Sequence, residues 1–228
     1  MKKLLISSVL CMFAFSANAQ LIMDALDPTA SGTLFRNDVM NKKDLSEIKG
    51  SAYIVDEFRL ADVAGIKQQI MVRYNAMTDM IEVETPKKEV FSLMKKEPFN
   101  TITIIPFTDK IKLLNYKTKE TEIYGYLVEL FNANKIALYR RDRVILQKGK
   151  EALNTYSPAV PARYVKANEE FFISKNGEMA FPLPRNKKDL LETFPEKKTE
   201  ITDYIKKNDY STKDEKSILN MIRFISGS

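Results

Sequence analysis

The chain reads as a mainly β protein, an antiparallel meander forming a sandwich or an incomplete barrel, closed by two short C-terminal amphipathic helices. Three observations predict it. Apolar and polar residues alternate at period two from about residue 70 onward, the mark of half-buried strands. Turn signals recur every 8 to 15 residues or so, with no long helical pattern between them. Only over roughly the last forty residues does the apolar spacing become helical.

Residues 1–19 read as a signal peptide: Lys2-Lys3, the apolar run Leu4 to Phe15, then Ala17-Asn18-Ala19, with cleavage expected after Ala19. The run is too short to span a bilayer, which needs about 18 apolar residues or more, so no transmembrane segment is expected in the mature chain. Residues 20–49 form an arm, with Asp27-Pro28 and Ser31-Gly32 around isolated Leu34 and Phe35. Such a stretch buries little alone and orders against the body or a partner.

Residues 50–228 read as a single β-rich domain with no Gly/Ser/Pro-rich linker. Ile70, Val72 and Tyr74 alternate with Met71 and Arg73, and Ile81 and Val83 with Met80, Glu82 and Glu84; Asn75 to Asp79 makes the hairpin loop. Thr101 to Ile105 is β-branched throughout and stops at Pro106. Ile111 to Tyr116 follows, then Glu122 to Phe131, whose Tyr124, Tyr126, Val128 and Leu130 should share a face. Asn132-Ala133-Asn134 should break that strand, Ile136 to Tyr139 returns, and Val144 to Gln147 is a short strand. Asn176-Gly177 supplies both positive φ angles of a type I′ turn, between Phe171-Phe172-Ile173 and Met179-Ala180-Phe181. Over about residues 187–226, Thr193…Glu196 and Thr212…Glu215 fit the capping box. Ile201, Tyr204 and Ile205, then Ile218, Met221, Ile222 and Ile225, recur at helical spacing.

Composition narrows the chemistry. The chain has no histidine, and its one cysteine, Cys11, lies in the signal peptide. Schemes built on imidazole or thiolate are thereby excluded, and an exported chain without disulfides stands on its core alone. Carboxylate-only catalysis survives in principle, with Glu82, Glu84, Glu169 and Glu170 as the available acids, but a solvated sheet surface is the plainer reading. Met71, Met77 and Met80 read as apolar filler rather than a copper site. No enzymatic activity, metal or cofactor is expected. The net charge of +6 falls to about +4 without Lys2 and Lys3. Paired lysines are interspersed with acids, so nucleic acid is not an expected partner. For partner binding, loops and unanchored segments are the natural candidates: Asn75, Met77 and Asp79 in the hairpin loop, Leu34 and Phe35 in the arm.

Gly50-Ser51-Ala52-Tyr53, Glu57-Phe58, Arg73-Tyr74-Asn75 with Asp79, Met80, Glu82 and Val83, Gly125-Tyr126, Arg163-Tyr164, and Tyr204-Ile205-Lys206-Lys207-Asn208 together resemble a family of small exported proteins. That family is common in Gram-negative bacteria that possess type IX secretion. The resemblance implies a periplasmic, non-enzymatic accessory subunit that docks on an outer-membrane β-barrel or its associated periplasmic proteins. It also implies a plug that closes the periplasmic mouth of the secretion translocon. The alternative is a periplasmic module sheltering a lipid or glycan in its curved sheet.

Overall fold

The computed structural model describes residues 35–36, 48–107, 109–150 and 159–227. The signal peptide, Leu34 and most of the arm lie outside the described residues. The described chain is a curled antiparallel sheet, a half-barrel, with short helices packed on one side.

The strands are β1 (Phe35–Arg36), β2 (Arg59–Val63), β3 (Ile70–Asn75), β4 (Met80–Glu84), β5 (Val90–Leu93), β6 (Thr101–Ile104) and β7 (Lys110–Lys117). They continue as β8 (Glu122–Ala133), β9 (Ile136–Arg141), β10 (Val144–Gln147), β11 (Arg163–Lys166), β12 (Glu170–Lys175) and β13 (Phe181–Pro182). From edge to edge the main sheet runs β1-β5-β4-β3-β2-β6-β7-β8-β9-β12-β13. β10 and β11 stand apart as a two-stranded ribbon.

Period-two patterning directs one face of β2 to β7 inward. Ala61, Val63, Ile70, Val72, Ile81, Val83, Leu93, Ile102, Ile111 and Leu113 form a first core with Tyr126 of β8. A second core lies between the sheet and the helices, joining Leu138 of β9 and Ile173 of β12 to Phe194, Ile201, Ile218, Met221, Ile222 and Ile225. The third fills a tight curl. β13 meets β7 in a parallel bridge between Tyr116 and Ala180, where the Lys117 amide donates to the Ala180 carbonyl at 2.8 Å. Tyr116, Leu127, Ala137, Tyr139, Phe172 and Ala180 pack inside, with the Tyr116 and Phe172 rings edge to face at 4.9 Å. β9 and β12 are therefore apolar on both faces.

The β3–β4 and Asn176-Gly177 hairpins form where the sequence places them, Asn176 and Gly177 at φ 54° and 76°. Three expectations are corrected. β8 does not break at Asn132 but runs to Ala133, and Asn134 and Lys135 make the turn at φ 50° and 64°. Tyr124, Tyr126 and Val128 do share a face, paired in unbroken register with Asn115, Leu113 and Ile111, but a bulge between Glu129 and Phe131 takes Leu130 out of that phase. Leu130 joins the helix-side core instead, while along the shared face Tyr126 packs into the first core at 1% exposure and Tyr124, nearer the start of the strand, is 40% exposed.

The third correction concerns the helices, which number three among the described residues rather than two. α1 is Lys187–Thr193, α2 Lys198–Lys207 and α3 Glu215–Ser226, with a 3₁₀ turn at Pro195–Lys197. Neither capping box forms. The Thr193 hydroxyl donates back to the Asp189 carbonyl at 2.8 Å, and Pro195 starts the 3₁₀ turn. The working caps are Asn186, accepting from the Asp189 amide at 2.9 Å, and Asp214, accepting from the Ser217 amide at 2.7 Å. Both are better N-cap acceptors than threonine.

Candidate functional site

The loop from Asn75 to Asp79 sits where two polar networks and the β10–β11 ribbon meet. Arg73 and Glu82 are directly opposite on β3 and β4. Arg73 Nη2 and Nε donate to Glu82 Oε2 at 2.6 and 3.2 Å, and its guanidinium lies 3.7 Å from the Tyr53 ring centroid and 4.3 Å from that of Phe58. Glu82 also accepts from the Tyr53 hydroxyl at 3.0 Å and from Asn75 Nδ2 at 2.9 Å. Burial, then the Glu82 charge, pushes the Tyr53 phenol up to about 12. Arg73 Nη1 donates to the Asp56 carbonyl at 2.9 Å. The result is a clamp that holds residues 51–58 across the outer face of β3 and β4.

The second network centres on Asp79, which adopts the left-handed conformation at φ 55°. Its Oδ1 accepts from the Tyr74 hydroxyl at 2.9 Å and from the Tyr126 amide at 3.2 Å; its Oδ2 accepts from Lys95 Nζ at 2.5 Å. Burial, then the Asp79 charge, drives the Tyr74 phenol far above its ordinary value. The hairpin can bend onto β8 only because residue 125 lacks a side chain: a Cβ on Gly125 would lie 2.5 Å from Asp79 Oδ2.

Of the residues expected to bind a partner, Asn75 is buried; its Oδ1 accepts from the Met77 and Thr78 amides at 3.2 and 3.1 Å. Met77 is half-buried, and its amide also donates to the Ala52 carbonyl at 3.2 Å. Asp79 is committed to the bonds above. Phe35 pairs with Leu93 at the sheet edge through β1, and Leu34 lies outside the described residues. The structure thus brings Asn75, Met77 and Asp79 together and ties them inward.

The ribbon beside them carries three exposed large apolar residues; Leu60, Phe107, Tyr124, Met179 and Phe224 are exposed elsewhere. The Val144 amide donates to the Ala76 carbonyl at 3.1 Å, anchoring β10 to the loop. Beyond that anchor no strand lies along β10's outer edge among the described residues. On the other side the Tyr164 amide donates to the Lys49 carbonyl at 2.8 Å, and the close approach to Tyr164 requires Gly50 at φ 91°. Ile145, Leu146 and Val160 are 50%, 42% and 49% exposed. Lys148, Lys150, Arg163, Lys166 and Lys49 are exposed around them; residues 144–150 and 159–167 contain no aspartate or glutamate. At the root, Arg141 and Arg143 each donate to Glu170 at 3.2 Å. Arg140 bonds Asp142 at 2.8 Å and Glu215 at 2.5 Å, which ties α3 to the sheet.

The four candidate acids are engaged separately: Glu82 with Arg73, Glu84 with Lys88, Glu169 with Lys166, Glu170 with Arg141 and Arg143. Among the described residues no group of three or more metal-ligating side chains gathers, and no helix is long and apolar enough to cross a membrane. Sequence reading missed the ribbon as a surface, since Arg163–Lys166 was not recognised as a strand. The available signal was Val144-Ile145-Leu146 followed by lysines and no acid. Compared with known proteins, the chain matches no family model, no curated protein and no solved structure.

Proposed function

We propose that this protein is a non-enzymatic, exported accessory subunit that docks on an outer-membrane protein assembly, where it plugs the periplasmic mouth of a type IX translocon. The observation that carries the docking reading is the β10–β11 ribbon. It combines three exposed aliphatic residues, five cations and an open strand edge, the makings of an apolar anchor with a basic rim. An acidic protein face matches that charge. Export rests on the N-terminal pattern of Lys2-Lys3, the apolar run and Ala17-Asn18-Ala19. The Arg73–Glu82 and Asp79 networks supply the rigidity a pore-blocking body needs, because they lock the hairpin, residues 51–58 and β8 into one unit. Packed side chains fill both curls of the sheet, which favours this reading over a sheltered lipid or glycan.

The test is affinity capture of the tagged full-length protein from gently solubilised envelopes. An outer-membrane β-barrel should co-purify with the wild type and be lost with an Ile145→Glu/Leu146→Glu variant of unchanged melting temperature. Recovery of the monomer alone from both would refute the proposal.

A further inference from the structure

The helical cap carries a second feature, independent of the ribbon. Between the loop after β13 and the α2–α3 connection lies a cleft of about 480 Å³, within the size range of small-ligand sites. Arg185 and Lys187, at the entry to α1, and Lys213, in the α2–α3 connection, line it with Ser211, Tyr210 and Ile205. No carboxylate is among its lining residues. Of the acids near in sequence, Asp189 accepts from Asn186 Nδ2 at 2.9 Å, Asp214 caps α3 and Glu215 pairs with Arg140, while Asp209 is exposed and is not among the lining residues. None of the three cations has a carboxylate within ion-pair distance among the described residues, whereas neighbouring Lys188 pairs with Glu192 and Lys197 with Glu200. Another cleft, at the ends of β9 and β12, includes Glu196 beside its lysines. Like charges facing a common concavity repel one another, a cost that a bound anion reverses.

We propose that this cleft binds a phosphate group carried on a small organic body. The arginine fork and two ammonium groups suit a phosphate's oxygens and charge. The hydroxyl of Ser211 adds a donor, and Tyr210 and Ile205 give the body an apolar wall. The phosphate is that of a phosphomonoester lipid headgroup or of a soluble phosphorylated compound.

The experiment uses the full mature chain. Amide shifts are followed by NMR during titration with inorganic phosphate, at ionic strength matched with chloride. Binding to phosphatidylcholine vesicles with and without phosphatidic acid is measured in parallel. Saturable shifts at Ser211, Thr212 and Lys213 are expected, at least tenfold weaker in Arg185→Gln/Lys213→Gln and unchanged in the control variant Lys117→Gln/Lys119→Gln, whose lysines are exposed outside both surfaces. Phosphatidic acid binding that phosphate competes away identifies the lipid headgroup, and phosphate binding without vesicle binding identifies a soluble compound. Non-saturating shifts spread over all lysines, or equal binding by the cleft variant with its circular dichroism intact, would overturn the proposal.

Discussion

Replacing Gly125 by alanine tests the contact that seats the β3–β4 hairpin on β8. The new Cβ would lie 2.5 Å from Asp79 Oδ2 and 3.3 Å from both Ile123 Cγ2 and Tyr116 Cε1. Asp79 has little room to retreat, since Tyr74, the Tyr126 amide and Lys95 all hold its carboxylate. Overpacking of this kind costs about 1–3 kcal/mol, and a weakened bond to a charged group adds about 1 kcal/mol or more. The expected loss is about 2–4 kcal/mol, equivalent to a fall of roughly 1–2 M in the urea midpoint. Asp79→Ala alone loses the same bonds and should cost about 2 kcal/mol. In the Asp79→Ala background the clash has no partner, so Gly125→Ala should cost under about 1 kcal/mol there. The assay is urea unfolding of the wild type, both single variants and the double variant, followed by far-ultraviolet circular dichroism. Additivity within about 0.5 kcal/mol would refute the contact.

Arg140→Met leaves Asp142, 5% exposed, without its guanidinium and frees Glu215 of α3. A loss of about 3 kcal/mol is expected, and a thermal melt within experimental error of the wild type would contradict it. Asp214→Ala should cost about 1 kcal/mol through loss of the α3 cap and Thr212→Ala only a few tenths; equal losses would restore the capping box rejected above. Burial, foremost, holds the Tyr53, Tyr116 and Tyr210 phenols up to about 12 against an ordinary 10.0. The folded state keeps these protons while the unfolded chain releases them, so this stabilisation is whole below about pH 10 and disappears as pH rises toward 12. Tyrosinate absorbance should show a late-ionising group that appears together with loss of circular dichroism; ionisation of every phenol near pH 10 with the fold intact would contradict it.

Fold class was legible because alternation survives wherever one face is buried. Ile70 to Tyr74 and Met80 to Glu84 are clean cases. β2, β5 and β11 escaped individual recognition for physical reasons. Leu60 of β2 faces solvent, β5 spans four residues with the apolar pair Val90-Phe91 adjacent, and β11 pairs with an isolated ribbon rather than a core. The threonine boxes misled for two reasons: Thr193 ends α1, with its hydroxyl turned back to the Asp189 carbonyl, and Asp214, a stronger acceptor two residues on, takes the α3 cap in place of Thr212. Asn75 and Asp79 looked like recognition residues because polar loop residues usually face water. What made them internal is long-range: Glu82 across the hairpin, and the Tyr126 amide 47 residues away, neither visible from spacing.

The double-sided burial of β9 has a bearing on how the chain is made. β9 and its neighbour β8 emerge before the residues that cover them: Phe172 and Ile173 of β12 and the aliphatic stripe of α3 come later, the last of them at Ile225. A polypeptide growing from its N-terminus therefore carries Ile136 to Tyr139 unshielded until α3 has been made. A truncation that removes Met221, Ile222 and Ile225 of α3 should leave that apolar face uncovered and send the product into aggregates.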